Sequence, residues 1–118
     1  MKIAVAGVGY VGLVTAVPLA DIGHDVICLD VDKGKLKMLN EGVSPIYEYG
    51  LEELMLKNRE RLEFTDDVTK YSEAQVIIIG VGTPEKEDGS ADLSAVFSVA
   101  DSIADNCSDG TVVVVKST

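Results

Sequence analysis

Met1-Lys2-Ile3-Ala4-Val5-Ala6-Gly7-Val8-Gly9-Tyr10-Val11-Gly12 opens the chain. A short apolar run ends at Gly7, three glycines follow in GxGxxG spacing, and a helical pattern begins at once. Each glycine has its own physical use. Gly7 allows a tight turn, Gly9 lets bare main chain approach a pyrophosphate, and Gly12 lets the helix pack close against the strand. The helix start then aims free N–H groups and a positive dipole end at the phosphates. Asp30 ends the second apolar run, 18 residues past Gly12. A carboxylate there can accept from both ribose hydroxyls of an adenosine and repels a 2′-phosphate, so the pattern favours NAD over NADP. Lys33 and Lys35 weaken that preference slightly, because either could reach a phosphate. Asp32 reads as surface.

Outward from this stretch, four continuous apolar runs stand out: Ile3–Ala6, Val26–Leu29, Val76–Ile79 and Val112–Val115. Because they do not alternate with polar residues, both faces of each are expected to be covered, as in parallel strands between helices. A weaker strand is read at Leu62-Glu63-Phe64. Helices are predicted over 11–22, 33–40, 51–57, 66–71 and 92–104. The first is expected to bury Val11, Val14, Thr15, Leu19 and Ile22, with Gly23 as its C-terminal cap. The last is expected to bury Leu93, Val96, Phe97, Ala100, Ile103 and Ala104. Strands alternating with helices imply an open parallel sheet with helices on both faces, an α/β Rossmann-type fold of strand order 3-2-1-4-5. Pro18, inside the first helix, removes a bond to Val14 and predicts a kink.

Composition narrows the partners. The net charge of −10 repels a phosphate backbone and an anionic membrane surface, which excludes nucleic acid and membrane as partners. A phosphate-bearing ligand must therefore be held by local N–H groups. Cys28 reads as a small buried hydrophobe and Cys107 as a loop residue, with neither a disulfide framework nor a metal site in the pattern. No targeting segment precedes the first strand, so a cytoplasmic location is expected. The chain stops where a buried strand would hand over to its next loop. It reads as one domain, residues 1–118, of a longer polypeptide.

A second glycine loop, Gly80-Val81-Gly82-Thr83-Pro84, follows the fourth apolar run and is expected across the switch point from the first, where ligands bind in such sheets. Gly82, Thr83 and Pro84 are therefore candidate cofactor residues. Thr118, at the end of the next strand, is placed on the same rim. His24 reads as a solvated turn residue, Glu48, Glu52 and Glu53 as a solvated helix face and its approach, and Glu85, Glu87 and Asp88 as a turn closed by Gly89.

Beyond the glycine turn, further blocks carry a resemblance: Asp30-Val31-Asp32, Lys35, Leu39-Asn40-Glu41-Gly42, Pro45-Ile46-Tyr47-Glu48, Gly50-Leu51, Gly80-Val81-Gly82-Thr83-Pro84, Asp88-Gly89-Ser90-Ala91-Asp92-Leu93 and Lys116-Ser117-Thr118. In this order the sequence resembles the UDP-glucose/GDP-mannose dehydrogenases along its whole length. The resemblance implies NAD as cofactor and two successive oxidations of a sugar-nucleotide C6 alcohol, such as that of UDP-glucose, to the carboxylate. It implies that Tyr10 and Val11 border the pyrophosphate, that Asp30 and Lys35 hold the adenosine ribose, and that Thr83 and Thr118 line the cofactor side, Thr118 also positioning the catalytic water. It implies too that the catalytic cysteine, lysine and glutamate lie beyond residue 118 with the central and substrate domains, that intact members dimerise, and that this chain alone is inactive. Tyr49, where the family has proline, and Pro18 depart from the pattern. Two other readings remain at this point: another Rossmann oxidoreductase such as a 3-hydroxyacid dehydrogenase, and a stand-alone NAD-sensing module.

Overall fold

Five parallel strands form one sheet in the order β3-β2-β1-β4-β5 in the computed structural model, which describes residues 1–116. Ser117 and Thr118, including the role assigned to Thr118, lie outside the described residues. The strands are β1 (Lys2–Ala6), β2 (Asp25–Leu29), β3 (Leu62–Thr65), β4 (Val76–Ile79) and β5 (Val112–Val115). Between them run α1 (Tyr10–Asp21), α2 (Lys33–Asn40), α3 (Leu51–Lys57) and α4 (Ser94–Asn106). The order and the Rossmann-type architecture agree with the sequence reading. Where a helix is expected over 66–71, a 3₁₀ segment instead spans Val68–Glu73.

The pleat divides each central strand between two cores. Ile3 and Val5 of β1, with Val26 and Cys28 of β2, pack against α1, α2 and α3 through Leu13, Val17, Leu36, Leu39, Leu51 and Met55. Ala4 and Ala6, with Ile27 and Leu29, face the opposite core, built with Tyr71 of the 3₁₀ segment, Ile77 and Ile79 of β4, and Ile103 of α4. Continuous apolar runs therefore serve two faces in β1 and β2, as expected.

Three expectations are corrected. First, α1 buries Gly12, Leu13, Ala16, Val17 and Ala20, not the stripe from Val11 to Ile22; Ile22 is exposed. The helix is apolar nearly all round, so periodicity does not define its inner face. Gly12 does: the turn of helix carrying it must lie against the glycine turn, and Ala16 and Ala20 follow on the same stripe at i+4 and i+8. Second, α4 directs Ile103 and Val99 inward while Phe97 is 64% exposed. Ile103 is its one buried residue and belongs to the predicted stripe; Val96 is half-buried, and Leu93, Phe97, Ala100 and Ala104 are exposed. Third, β5 is an edge strand whose four valines are 44–60% exposed. An edge strand lacks a neighbour on one side, and no helix of the described residues covers these side chains.

The first helix ends as its sequence predicts. Gly23, at φ +109°, donates to the Ala20 carbonyl, and His24 donates to that of Leu19, the paired bonds of a Schellman cap. His24 is half-buried rather than solvated, with Nδ1 enclosed and unpartnered among the described residues. α1 runs unbroken through Pro18, whose ring is exposed.

At the glycine turn, backbone packs directly on backbone. A Cβ on Gly12 would stand 1.8 Å from the Gly7 carbonyl oxygen, and one on Gly80 would stand 3.2 Å from the Gly12 Cα. Gly7 itself sits at φ +106° with Gly80 against it, where any side chain is strained. We predict that Gly12→Ala lowers unfolding free energy by about 3 kcal/mol, read from urea denaturation. An unchanged midpoint would show that the strand–helix contact yields without cost. Burial pushes the Cys28 thiol up to about 12, whereas Cys107 is exposed. A thiol reagent is therefore expected to label one cysteine in the folded chain and the second only after unfolding.

Candidate functional site

The strand order reverses between the parallel neighbours β1 and β4, so the connections leaving these two strands diverge and leave a crevice. Gly7 is pinned there by its N–H to the Leu29 carbonyl at 2.7 Å, and Gly80 by its N–H to that of Ala6 at 2.8 Å. Two cavities open around this point. One, of about 400 Å³, is lined by Gly7, Gly9, Tyr10, Val11, Lys35, Gly82 and Thr83, with Val96, Val115 and Lys116 closing its far side. The other, of about 220 Å³, lies between the end of β2, the 3₁₀ segment and α4. They share Gly7, Asp30 and Val81, so they adjoin at the glycine turn; together they are the trough, and the turn is its elbow.

The elbow suits an anion. Leu13 makes the first bond of α1, to the Gly9 carbonyl at 3.0 Å, which leaves the N–H groups of Tyr10, Val11 and Gly12 without helical partners. No side chain caps them, and the first turn holds no acid to oppose the dipole. A Cβ on Gly9 would meet nothing within 4 Å. Its glycine identity therefore answers no packing need of the chain itself; what a side chain would occupy is open trough. Lys35 and Lys116 place two cationic side chains beside the one carboxylate, Asp30, in the same cavity, although the chain as a whole carries a net charge of −10.

Asp30 does more than sequence spacing shows. Its Oδ2 accepts from the Val8 N–H and its Oδ1 from the Asp32 N–H, both at 2.9 Å. Val8 is fully buried, so this carboxylate satisfies an N–H inside the turn that water cannot reach. An ionised carboxylate offers about four acceptor sites; two remain for sugar hydroxyls. Asp32, read as surface, caps α2 by accepting from the Lys35 N–H at 3.1 Å. Lys33 leans to Asp66 at 3.8 Å.

Of the residues chosen from sequence, Gly7, Gly9, Tyr10, Val11, Asp30, Lys35, Gly82 and Thr83 line the trough. Gly12 supports it from behind through Gly7. Pro84 lines neither cavity; its carbonyl instead accepts from the Asp92 N–H at 2.7 Å, closing the loop that follows. The second cavity was not foreseen. Val31, 90% exposed at its rim, carried a signal as an apolar residue beside Asp30. Tyr71, Ser98 and Ser102 lie at positions that look like ordinary helix. Glu48 and Glu52 are exposed as expected, but Glu52 accepts from the Ser44 N–H at 3.1 Å. Hydrogen bonding to Glu48 first, and its charge second, hold the Tyr10 phenol above its usual range. Glu85, Glu87 and Asp88 are exposed, and Asp88 is engaged by Ser90.

Comparison with known proteins places this arrangement. The model of the UDP-glucose/GDP-mannose dehydrogenase family, NAD binding domain, matches residues 1–118. UDP-glucose 6-dehydrogenase of Rhizobium meliloti is 51% identical over all of the chain and 28% of its own length. The Bacillus subtilis UDP-glucose 6-dehydrogenase YwqF is 50% identical with the same coverage. Among solved structures, a ternary complex of GDP-mannose dehydrogenase from Pseudomonas aeruginosa matches the whole chain and 28% of its own, with TM-score 0.93 and 40% identity. A UDP-glucose dehydrogenase from Pyrobaculum islandicum matches 99% of the chain and 28% of its own, with TM-score 0.92 and 37% identity. A 3-hydroxyacyl-CoA dehydrogenase from Archaeoglobus fulgidus, at TM-score 0.71 and 20% identity over the whole chain and 34% of its own, shares the fold alone. The chain thus spans little more than a quarter of the curated relatives it matches.

The bond from Val8 to Asp30 has a consequence without any ligand. Asp30→Ala is expected to lower unfolding free energy by about 2 kcal/mol, because a buried N–H loses its acceptor. Urea denaturation without added nucleotide measures it. A change below about 0.5 kcal/mol would show that the carboxylate does not hold the turn.

Proposed function

The chain belongs to the UDP-glucose/GDP-mannose dehydrogenase family, and on that footing we propose that it holds NAD along the trough for an enzyme that oxidises the C6 alcohol of UDP-glucose, or a related sugar nucleotide, to the carboxylate. The observation that carries this reading is the elbow. A bare main-chain turn with free helix N–H groups joins two cavities of unequal character, which is the outline of a dinucleotide bent at its pyrophosphate.

Residue roles follow from position. Gly7 and Gly9, with the N–H groups of Tyr10 and Val11, would hold the pyrophosphate, and Gly12 would keep the helix end close to it. Asp30 would take the adenosine ribose hydroxyls with its two unused acceptor sites, assisted by Lys35. The adenine would enter the cavity beside Val31, whose exposed side chain offers one face of a flat apolar slot. The nicotinamide end would lie toward Gly82, Thr83, Val115 and Lys116. Pro84 would shape the loop that carries Thr83, and Thr118 would belong to the same rim and orient a water. When bound, NAD supplies a hydride acceptor; the chain's part is to grip, orient and shelter it.

The rest of the relatives' length would supply the sugar site, the nucleophile and its acid–base partners, and the pairing of two subunits in the cytoplasm. The 118-residue chain alone is therefore proposed to bind NAD without turning over UDP-glucose. Among the described residues no helix is long and apolar enough to cross a membrane.

Titration calorimetry checks the reading. NAD is expected to bind at least tenfold more tightly than NADP, a gap of about 1.4 kcal/mol, because the Asp30 carboxylate opposes a 2′-phosphate. Equal affinities would remove the role given to Asp30. Gly9→Ala is expected to weaken NAD about tenfold or more while leaving the urea midpoint nearly unchanged, since its methyl group enters only the trough. Unaltered NAD affinity in that variant would move the pyrophosphate elsewhere.

A further inference from the structure

One hydroxyl at the smaller cavity has no hydrogen-bond partner among the described residues. Tyr71 is only 3% exposed and its ring packs within the second core. A phenylalanine would fill the same volume without removing a hydroxyl from water. The ring nevertheless lines the cavity, and the hydroxyl without a partner is its own. Nor is that hydroxyl a fully enclosed, partnerless polar atom, of which His24 Nδ1 is the one found among the described residues. A buried tyrosine of this kind keeps its polar end toward whatever fills the adjoining space.

We propose that Tyr71 is a specificity-determining residue of the cofactor site, its hydroxyl reaching the adenosine half of the dinucleotide from the floor of the smaller cavity. The proposal rests on the dinucleotide reading above and deepens it at one residue. Position supports it in two ways. The cavity that Tyr71 lines is also lined by Asp30 and Val31, so the tyrosine from the 3₁₀ segment meets the carboxylate and the apolar residue that follow β2 around the same space. From α4 the same cavity takes Ala95, Ser98, Val99 and Ser102, a lining without an aromatic or long aliphatic side chain. Burial first, and the nearby Asp30 charge second, push the Tyr71 phenol up to about 12. It therefore stays protonated and is available as a donor.

The outcome separates recognition from packing. Tyr71→Phe keeps the ring and deletes only the polar atom. Calorimetric titration of the 118-residue chain with NAD, ADP-ribose and AMP is expected to show all three weakened about fivefold, the loss of one net hydrogen bond. The thermal midpoint without nucleotide is expected to stay the same or rise, because an unpartnered hydroxyl has been removed. That opposition of sign is what a purely structural tyrosine would not produce. Unchanged affinities for NAD and AMP, with the wild-type chain binding both, would overturn the role of Tyr71 alone. So would a loss of affinity matched by an equal loss of nucleotide-free stability. A wild-type chain that binds neither NAD nor AMP would overturn the dinucleotide reading and this inference with it.

Discussion

Everything in this molecule that bears on function depends on main chain meeting main chain at the centre of the sheet. Gly7, Gly12 and Gly80 come from three elements, the end of β1, the start of α1 and the end of β4, and they fit only because none has a side chain. Close-packed backbone cannot relax in the way a flexible side chain can. The elbow of the trough is therefore as rigid as the sheet itself, and the free N–H groups of α1 are held in place before any ligand arrives. Asp30 reinforces this from the second strand by serving as the acceptor inside the turn. One carboxylate thus belongs both to the scaffold and to the site.

This arrangement reconciles a strongly acidic chain with an anion-binding crevice. Charge at a distance is screened within about 10 Å at ordinary ionic strength, whereas the helix end and the two lysines act at contact range. The overall field sets solubility; the local backbone sets binding. The same economy explains why the larger cavity uses so few side chains. Its floor is glycine and main chain, with tyrosine, valine, threonine and lysine at the rim.

Much of the fold was legible in the residues, and the misses share a cause. Strand order, the glycine turn and the Schellman cap at Gly23 each depend on a local backbone requirement that a particular residue type reveals. The orientation of α1 and α4 does not. Both helices are rich in small apolar residues, so two stripes compete, and packing against the sheet decides between them. In α1 the deciding residue, Gly12, was identified for its role in the turn, yet its power to choose the helix's inner face went unused. The valines of β5 read as doubly covered because periodicity reports what a strand prefers, not whether a neighbour is present. In the site, glycines and acids at motif spacing were visible. Tyr71, Ser98 and Ser102 were not, because they reach one cavity from elements far apart in sequence. Pro84 belongs to the glycine-loop motif by sequence, whereas its carbonyl closes the neighbouring loop.

The strand order also sets a schedule for synthesis. β1 is made first yet sits in the middle of the sheet, and its partner in β4 lies 73 residues further on, as the pairing of Ile3 with Val76 shows. At translation rates of about 5–20 residues per second, one flank of that strand waits on the order of 4–15 s for its neighbour. During that interval the apolar run Ile3–Ala6 has a bare hydrogen-bonding edge, and the glycine turn has nothing to close against. The nucleotide trough is consequently among the last features of the domain to form on the ribosome, although its defining residues are among the first to emerge.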